Sequence, residues 1–270
     1  MEAAATDHAP LMLIHGAWLT SSSWENFSEH FADRGFAVST PEWPRKQGDV
    51  AKLRERQDDI KGLGLTEIVD HYEALIRALP QPPVLIGHSF GGLIVELLLD
   101  RGLGRAGVAM SPAPPRGILV LPFSSLKAAA PALAHPSKWH GVVPLTLEEF
   151  TYAFVNTFSP ENAAAAYERY AVPETGQIFY EAGFANFHLH PPTEVHFNNG
   201  DRAPLLIVGF VAGIVVSLIQ IVTSIQDTGF STIPRLAAFL GAFLLSLPWM
   251  LNKMMSYTAL ILGDLSRYAR

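Results

Sequence analysis

The chain has 270 residues, 49% of them hydrophobic and 16% charged, with a net charge of −6 and no cysteine, which excludes disorder, disulfide scaffolds and cysteine nucleophiles. The last 68 residues hold six charged side chains (Asp227, Arg235, Lys253, Asp264, Arg267 and Arg270), and all ten histidines precede residue 197, so two unlike pieces are joined. The first 202 residues carry 15 basic and 23 acidic groups, a balance that cannot neutralise a run of phosphates and excludes nucleic acid as a partner.

Met1–Asp7 lacks the basic and apolar regions of a signal peptide, so the first piece is expected in the cytoplasm. Leu11-Met12-Leu13-Ile14, closed by His15-Gly16, reads as a buried strand. Ser21–Ser23 cap a helix carrying Trp24, Phe27 and Phe31, which Gly35 ends. Phe36-Ala37-Val38 reads as a second strand, and the charged, glycine-punctuated residues 45–64 as a surface loop. A helix opens at Thr66 with Ile68, Val69, Tyr72, Leu75, Ile76 and Leu79 at helical spacing, and ends before Pro80. Val84-Leu85-Ile86 is a third strand, Phe90–Leu99 a helix, and Ala106–Met110 a fourth strand. Strands alternating with helices imply a parallel sheet covered on both faces. Residues 122–185 show helical stretches (147–158 and 161–170) without strands and read as a helical cap. Its aromatic residues (Trp139, Phe150, Tyr152, Phe154, Phe158, Tyr167, Tyr170) suit cap packing better than a pocket lining.

Gly87-His88-Ser89-Phe90-Gly91-Gly92 falls between a strand and a helix, the setting of a nucleophile elbow. Ser89 would occupy a strained turn, with Gly87 and Gly91 leaving room for close helix–strand contact. The Phe90 N–H would face a developing oxyanion, and the loop His15-Gly16-Ala17-Trp18 offers the N–H of Ala17 or Trp18 as a second donor. These residues resemble the α/β-hydrolase superfamily, in particular its small serine esterases and lipase-like members, over about residues 10–205. The resemblance implies Ser89 as nucleophile, Phe90 with Ala17 or Trp18 as oxyanion donors, an ester-like small-molecule substrate and no cofactor. It also implies an acid after the post-cap strand and a histidine after the last strand. Here the chain departs from the pattern. Asp201-Arg202-Ala203-Pro204-Leu205-Leu206-Ile207-Val208 begins like the post-cap strand but runs on as Gly209-Phe210-Val211-Ala212-Gly213, and no histidine follows His196. A serine hydroxyl without a base in reach is a poor nucleophile, so the triad reads as truncated. His188, His190 and His196 with Glu194 lack a metal-ligand spacing and read as a solvated loop; no metal is expected.

From Ala203 to Gln226 there is no charge, and Leu205–Ile225 as a helix spans about 31 Å, close to the hydrocarbon thickness. Leu236–Asn252 is a second uncharged stretch, and Asp227–Arg235 is a turn between them, so a two-helix transmembrane hairpin is expected. Gly209, Gly213 and Ser217, spaced by four and extended by Gln220 and Ser224, form a helix-packing stripe. Val215-Val216-Ser217-Leu218-Ile219-Gln220, then Thr223, Ile225-Gln226, Ile233-Pro234 and Pro248-Trp249-Met250-Leu251, resemble the Q-type small membrane subunit of bacterial flagellar and type III protein export. That resemblance implies assembly with other export-gate subunits or with further copies of the chain. Lys253, Arg267 and Arg270 favour a cytoplasmic C-terminus, placing the chain in the bacterial inner membrane with its hydrolase-like piece on the cytoplasmic side.

The expected fold class is thus α/β: an incomplete α/β-hydrolase sheet with a helical cap over residues 1–202, then a two-helix membrane segment over 203–270. Three functions compete. One is a membrane-tethered serine esterase-like domain that is inactive or impaired; another is an export subunit with a passenger domain; the third is a non-functional fusion with an unprotected sheet edge.

Overall fold

Alternate side chains of a strand face opposite sides of a sheet, and the central strands here are apolar on both sides. The computed structural model describes residues 8–118 and 123–208. In chain order its elements are β1 (Leu11–Ile14), α1 (Glu25–Ala32), β2 (Val38–Ser39), α2 (Val50–Glu55), α3 (Leu65–Arg77), β3 (Val84–His88), α4 (Phe90–Asp100) and β4 (Ala106–Met110). There follow α5 (Phe123–Leu133), β5 (Val142–Val143), α6 (Leu147–Phe154), α7 (Pro160–Tyr170), β6 (Glu174–Thr175), α8 (Gln177–Gly183) and β7 (Leu205–Val208).

The main sheet has the order β2-β1-β3-β4-β7, every pair parallel. Leu13 and Ile86 point to one face and meet Trp24 with Phe31 of α1. Met12, Ile14 and Leu85 point to the other face and join Ile68, Tyr72, Leu93 and Ile94 of α3 and α4 in the larger core. Helix α3 is amphipathic, burying Leu65, Ile68, Val69, Tyr72 and Ile76, whereas α4, apolar but for Glu96, is buried from Phe90 to Leu99. Residues 123–183 form the cap expected from sequence.

Three expectations need correction. Residues 45–64 contain α2, whose first turn is capped by the Asp49 carboxylate accepting from the Lys52 N–H at 2.9 Å. The cap holds an antiparallel pair, β5 with β6, which two-residue strands cannot signal locally. Leu205–Val208 is a sheet strand, with Leu206 opposite Val108 and Ile207 opposite Ala109, so no helix begins at Leu205. The chain divides into two units, Met1–Phe210 and Val211–Arg270. The expected hairpin, with Gly209, Gly213, Ser217, Gln220 and Ser224, lies outside the described residues; among those described, no helix is long and apolar enough to cross a membrane.

Candidate active site

Strand β3 passes into α4 through one residue, Ser89, at φ 56° and ψ −122°. A left-handed serine is strained by about 1–3 kcal/mol, so neighbouring bonds must hold it. Its N–H donates to the Met110 carbonyl at 3.0 Å, and its own carbonyl accepts from Gly92, Leu93 and Ala113 at 3.0, 3.2 and 2.9 Å. The flanking glycines are sterically required. A Cβ on Gly87 would lie 2.1 Å from the Gly91 carbonyl oxygen, and one on Gly91 would lie 2.1 Å from that of Ile14. The turn therefore sets the serine at the N-terminus of α4, where unpaired N–H groups converge.

The loop after β1 lies directly against this turn, since a Cβ on Gly16 would come within 3.1 Å of Ser89 Cβ. Neither the Ala17 N–H nor the Phe90 N–H has a hydrogen-bond acceptor among the described residues. The Trp18 N–H is different: it donates to Glu174 Oε2 at 3.0 Å. Of the two loop donors expected from sequence, the structure leaves Ala17 available and occupies Trp18.

Ser89, Ala17 and Phe90 border a cavity of about 570 Å³ beneath the cap, with a largely apolar lining that includes Leu126, Phe154 and Phe179. Of the seven cap aromatics singled out from sequence, only Phe154 lines it; Phe150 is buried and packs on Phe154 and Tyr167, while Trp139 stacks on Tyr180. Such a space suits an apolar acyl or alkyl group with one polar centre at the turn.

The histidines are placed as follows. His15 is buried, with Nδ1 2.9 Å from the Gly16 carbonyl oxygen and Nε2 3.3 Å from the Trp43 nitrogen and 3.2 Å from Glu42 Oε2, so it shapes the loop. Burial works to raise the Glu42 carboxyl, but contacts from His15 and Ser21 outweigh it and hold it below its ordinary value. His88 borders the cavity, and burial pushes its imidazole down from the usual range. His190 and Arg116 both contact Glu194, at 3.3 and 2.6 Å. His196 pairs with Asp100 at 2.8 Å, which raises the imidazole above its ordinary value. Asp100 ends α4 and Ser89 precedes it; eleven residues of helix put about 16 Å between them, so this pair cannot serve the serine. All ten histidines lie among the described residues, and none has a ring nitrogen bonded to the Ser89 hydroxyl.

Two acidic groups at the site escaped the sequence reading. Glu96, 3% exposed and lining the cavity, interrupts the run Leu93-Ile94-Val95-Glu96-Leu97-Leu98-Leu99, a pattern that could have exposed it. Glu174 meets Lys46 across 128 positions, and nothing local announces that pairing.

Residues 11–208 match the alpha/beta hydrolase family, and residues 202–259 match bacterial export proteins, family 3. The flagellar biosynthetic protein FliQ of Borreliella burgdorferi is 40% identical over 63 residues, 23% of this chain and 72% of that protein. FliQ of Bacillus subtilis is 36% identical over 66 residues, covering 24% and 74%. In structure, an extracellular alpha/beta-hydrolase from a Paenibacillus species is similar over 74% of this chain and 76% of its own, with a TM-score of 0.53 and 21% identity.

Proposed function

This chain belongs to the alpha/beta hydrolase family through residues 11–208 and to bacterial export protein family 3 through residues 202–259, and from that double membership we propose a serine-esterase-type acyl site without its general base, tethered to an export-type membrane hairpin. In this reading Ser89 is the nucleophile position, and the Phe90 and Ala17 N–H groups receive the oxyanion of an ester-like substrate. The cavity takes the apolar acyl or alkyl part. Attack on the ester carbonyl requires the hydroxyl proton to leave as the new C–O bond forms. A serine centre deprived of its histidine loses on the order of 10⁶ in turnover. The domain is therefore inactive or strongly impaired as an esterase.

The observation that carries this reading is the Ser89 hydroxyl beside a cavity and two N–H donors without an acceptor among the described residues, with every histidine of the chain held elsewhere or unbonded to it. A fluorophosphonate probe tests it on the solubilised full-length chain. Labelling and hydrolysis of a p-nitrophenyl ester should be no greater than in Ser89→Ala. Ser89-dependent labelling would mean that another group activates the serine, and the inactive reading would fall.

A second reading is favoured by the 40% identity over 63 residues to a flagellar biosynthetic protein: an export subunit that carries a passenger domain. Two spans in the bacterial inner membrane would pack through Gly209, Gly213, Ser217, Gln220 and Ser224, either on other export subunits or on further copies. The hydrolase-like domain and the C-terminus would then both face the cytoplasm. Co-purification with export subunits from a flagellated host is the expected result; a membrane extract yielding the chain alone removes this reading.

A further inference from the structure

The loop that carries Ala17 is bonded mainly to the cap. Trp18 sits at φ 61°, a conformation that a large side chain avoids unless it is restrained. Three cap groups restrain it. The Glu174 carboxylate accepts from its backbone N–H at 3.0 Å, the Val172 N–H donates to its carbonyl at 3.0 Å, and its indole N–H donates to the Val143 carbonyl at 2.9 Å. Glu174 is in turn fixed by Lys46 Nζ at 2.7 Å and by the Thr175 N–H at 2.9 Å. Lys46 also donates to the Leu19 carbonyl at 3.0 Å and lies over the Trp43 ring. Both charged side chains are at most 1% exposed. A buried ion pair contributes little net stability compared with an apolar replacement, so its place here calls for a role in geometry.

We propose that Glu174, locked by Lys46, is a positioning residue of the cap that holds Trp18 left-handed and thereby keeps the Ala17 N–H unpaired and facing the Ser89 turn. The proposal rests on the reading of Ala17 and Phe90 as oxyanion donors. Because one carboxylate accepts from Trp18 and pairs with Lys46, displacing the 142–175 part of the cap would also undo the donor pair. Access to the cavity must then leave these contacts intact.

The test compares the full-length chain with two double variants that remove the buried charges. Lys46→Met with Glu174→Gln keeps one carbonyl oxygen for the Trp18 N–H at the expense of the Thr175 bond. Lys46→Met with Glu174→Leu removes every acceptor. Deuterium uptake in the peptide spanning residues 16–20 should accelerate about tenfold in the Leu variant and by less than threefold in the Gln variant. Affinity for octanoate, a carboxylate with an apolar tail, should fall about tenfold and less than threefold respectively. Equal uptake or equal octanoate affinity in all three chains overturns the clamp and leaves the donor pair standing. A parent chain that does not bind octanoate overturns the donor pair itself, and the clamp's catalytic meaning with it.

Discussion

Burial pushes the Glu96 carboxyl up to about 7 while Arg202 pulls it down, and this one residue gives the domain a pH dependence with a definite sign. Below pH 4.5 the group is protonated whether the chain is folded or not, and its ionisation costs nothing. Between 4.5 and about 7 the unfolded chain ionises and the folded one does not, so stability falls as pH rises. Above that range the loss is constant, about 3 kcal/mol. Glu96→Gln should therefore raise the melting temperature at pH 8 by roughly 6–12 °C and leave it unchanged at pH 4, read by circular dichroism. An equal shift at both values would show that ionisation is not the cause. The glycines of the turn allow a second residue-scale test. Gly91→Ala drives a Cβ into the Ile14 backbone, which no rotamer change relieves, and should abolish soluble folded protein. Gly16→Ala, whose nearest atoms are at 3.0 and 3.1 Å, should fold but weaken octanoate binding by displacing the loop from Ser89.

At the scale of elements, helix α3 depends on the cap for its first turn. Gly64 offers no side chain there, and Glu181 of α8 accepts from the Leu65 N–H at 2.8 Å while receiving the Gln177 amide at 2.9 Å. Glu181→Ala should cost about 1 kcal/mol, the usual loss of an N-cap, seen as a melting temperature lower by 2–4 °C; no change would mean that water replaces the carboxylate. The same contrast between local and distant causes explains which elements sequence reveals. Strands β1 and β4 appear at the bounds expected from their apolar runs, and α4 extends one residue beyond Leu99, because an unbroken apolar run between turn residues is a local signature. The Ser89 turn was legible because strand, glycines and helix follow one another directly. Helix α2 was hidden by its charges. It is held through Arg54, which donates to the Tyr167 and Ala171 carbonyls and to Glu168, partners more than a hundred positions away. Likewise β5 and β6 owe their strand form to each other, and the occupation of the Trp18 N–H to a carboxylate 156 positions on.

For the whole molecule, the decisive stretch is 202–208, which matches both families. A strand rises about 3.3 Å per residue and a helix 1.5 Å, so these residues cannot serve the sheet and a membrane helix at once. Pairing with β4 assigns Leu205–Val208 to the sheet. The uncharged run that follows the strand, Gly209–Gln226, has 18 residues and as a helix would span about 27 Å. The sheet fares less well. Leu206, Ile207 and Val208 on β7 are 59%, 56% and 40% exposed, whereas a parallel sheet is normally covered on both faces. Among the described residues β7 is the edge of the sheet, and an apolar edge strand is a template for pairing with another chain. A chain ended after Val208 should therefore elute as large assemblies in size-exclusion chromatography. Leu206→Lys with Val208→Lys in that shortened chain should shift it towards a monomer, since charge on an edge strand opposes pairing. Recovery of the unsubstituted shortened chain as a monodisperse monomer would show that the edge is protected by the domain itself, and the expectation that the fusion point limits folding would be lost.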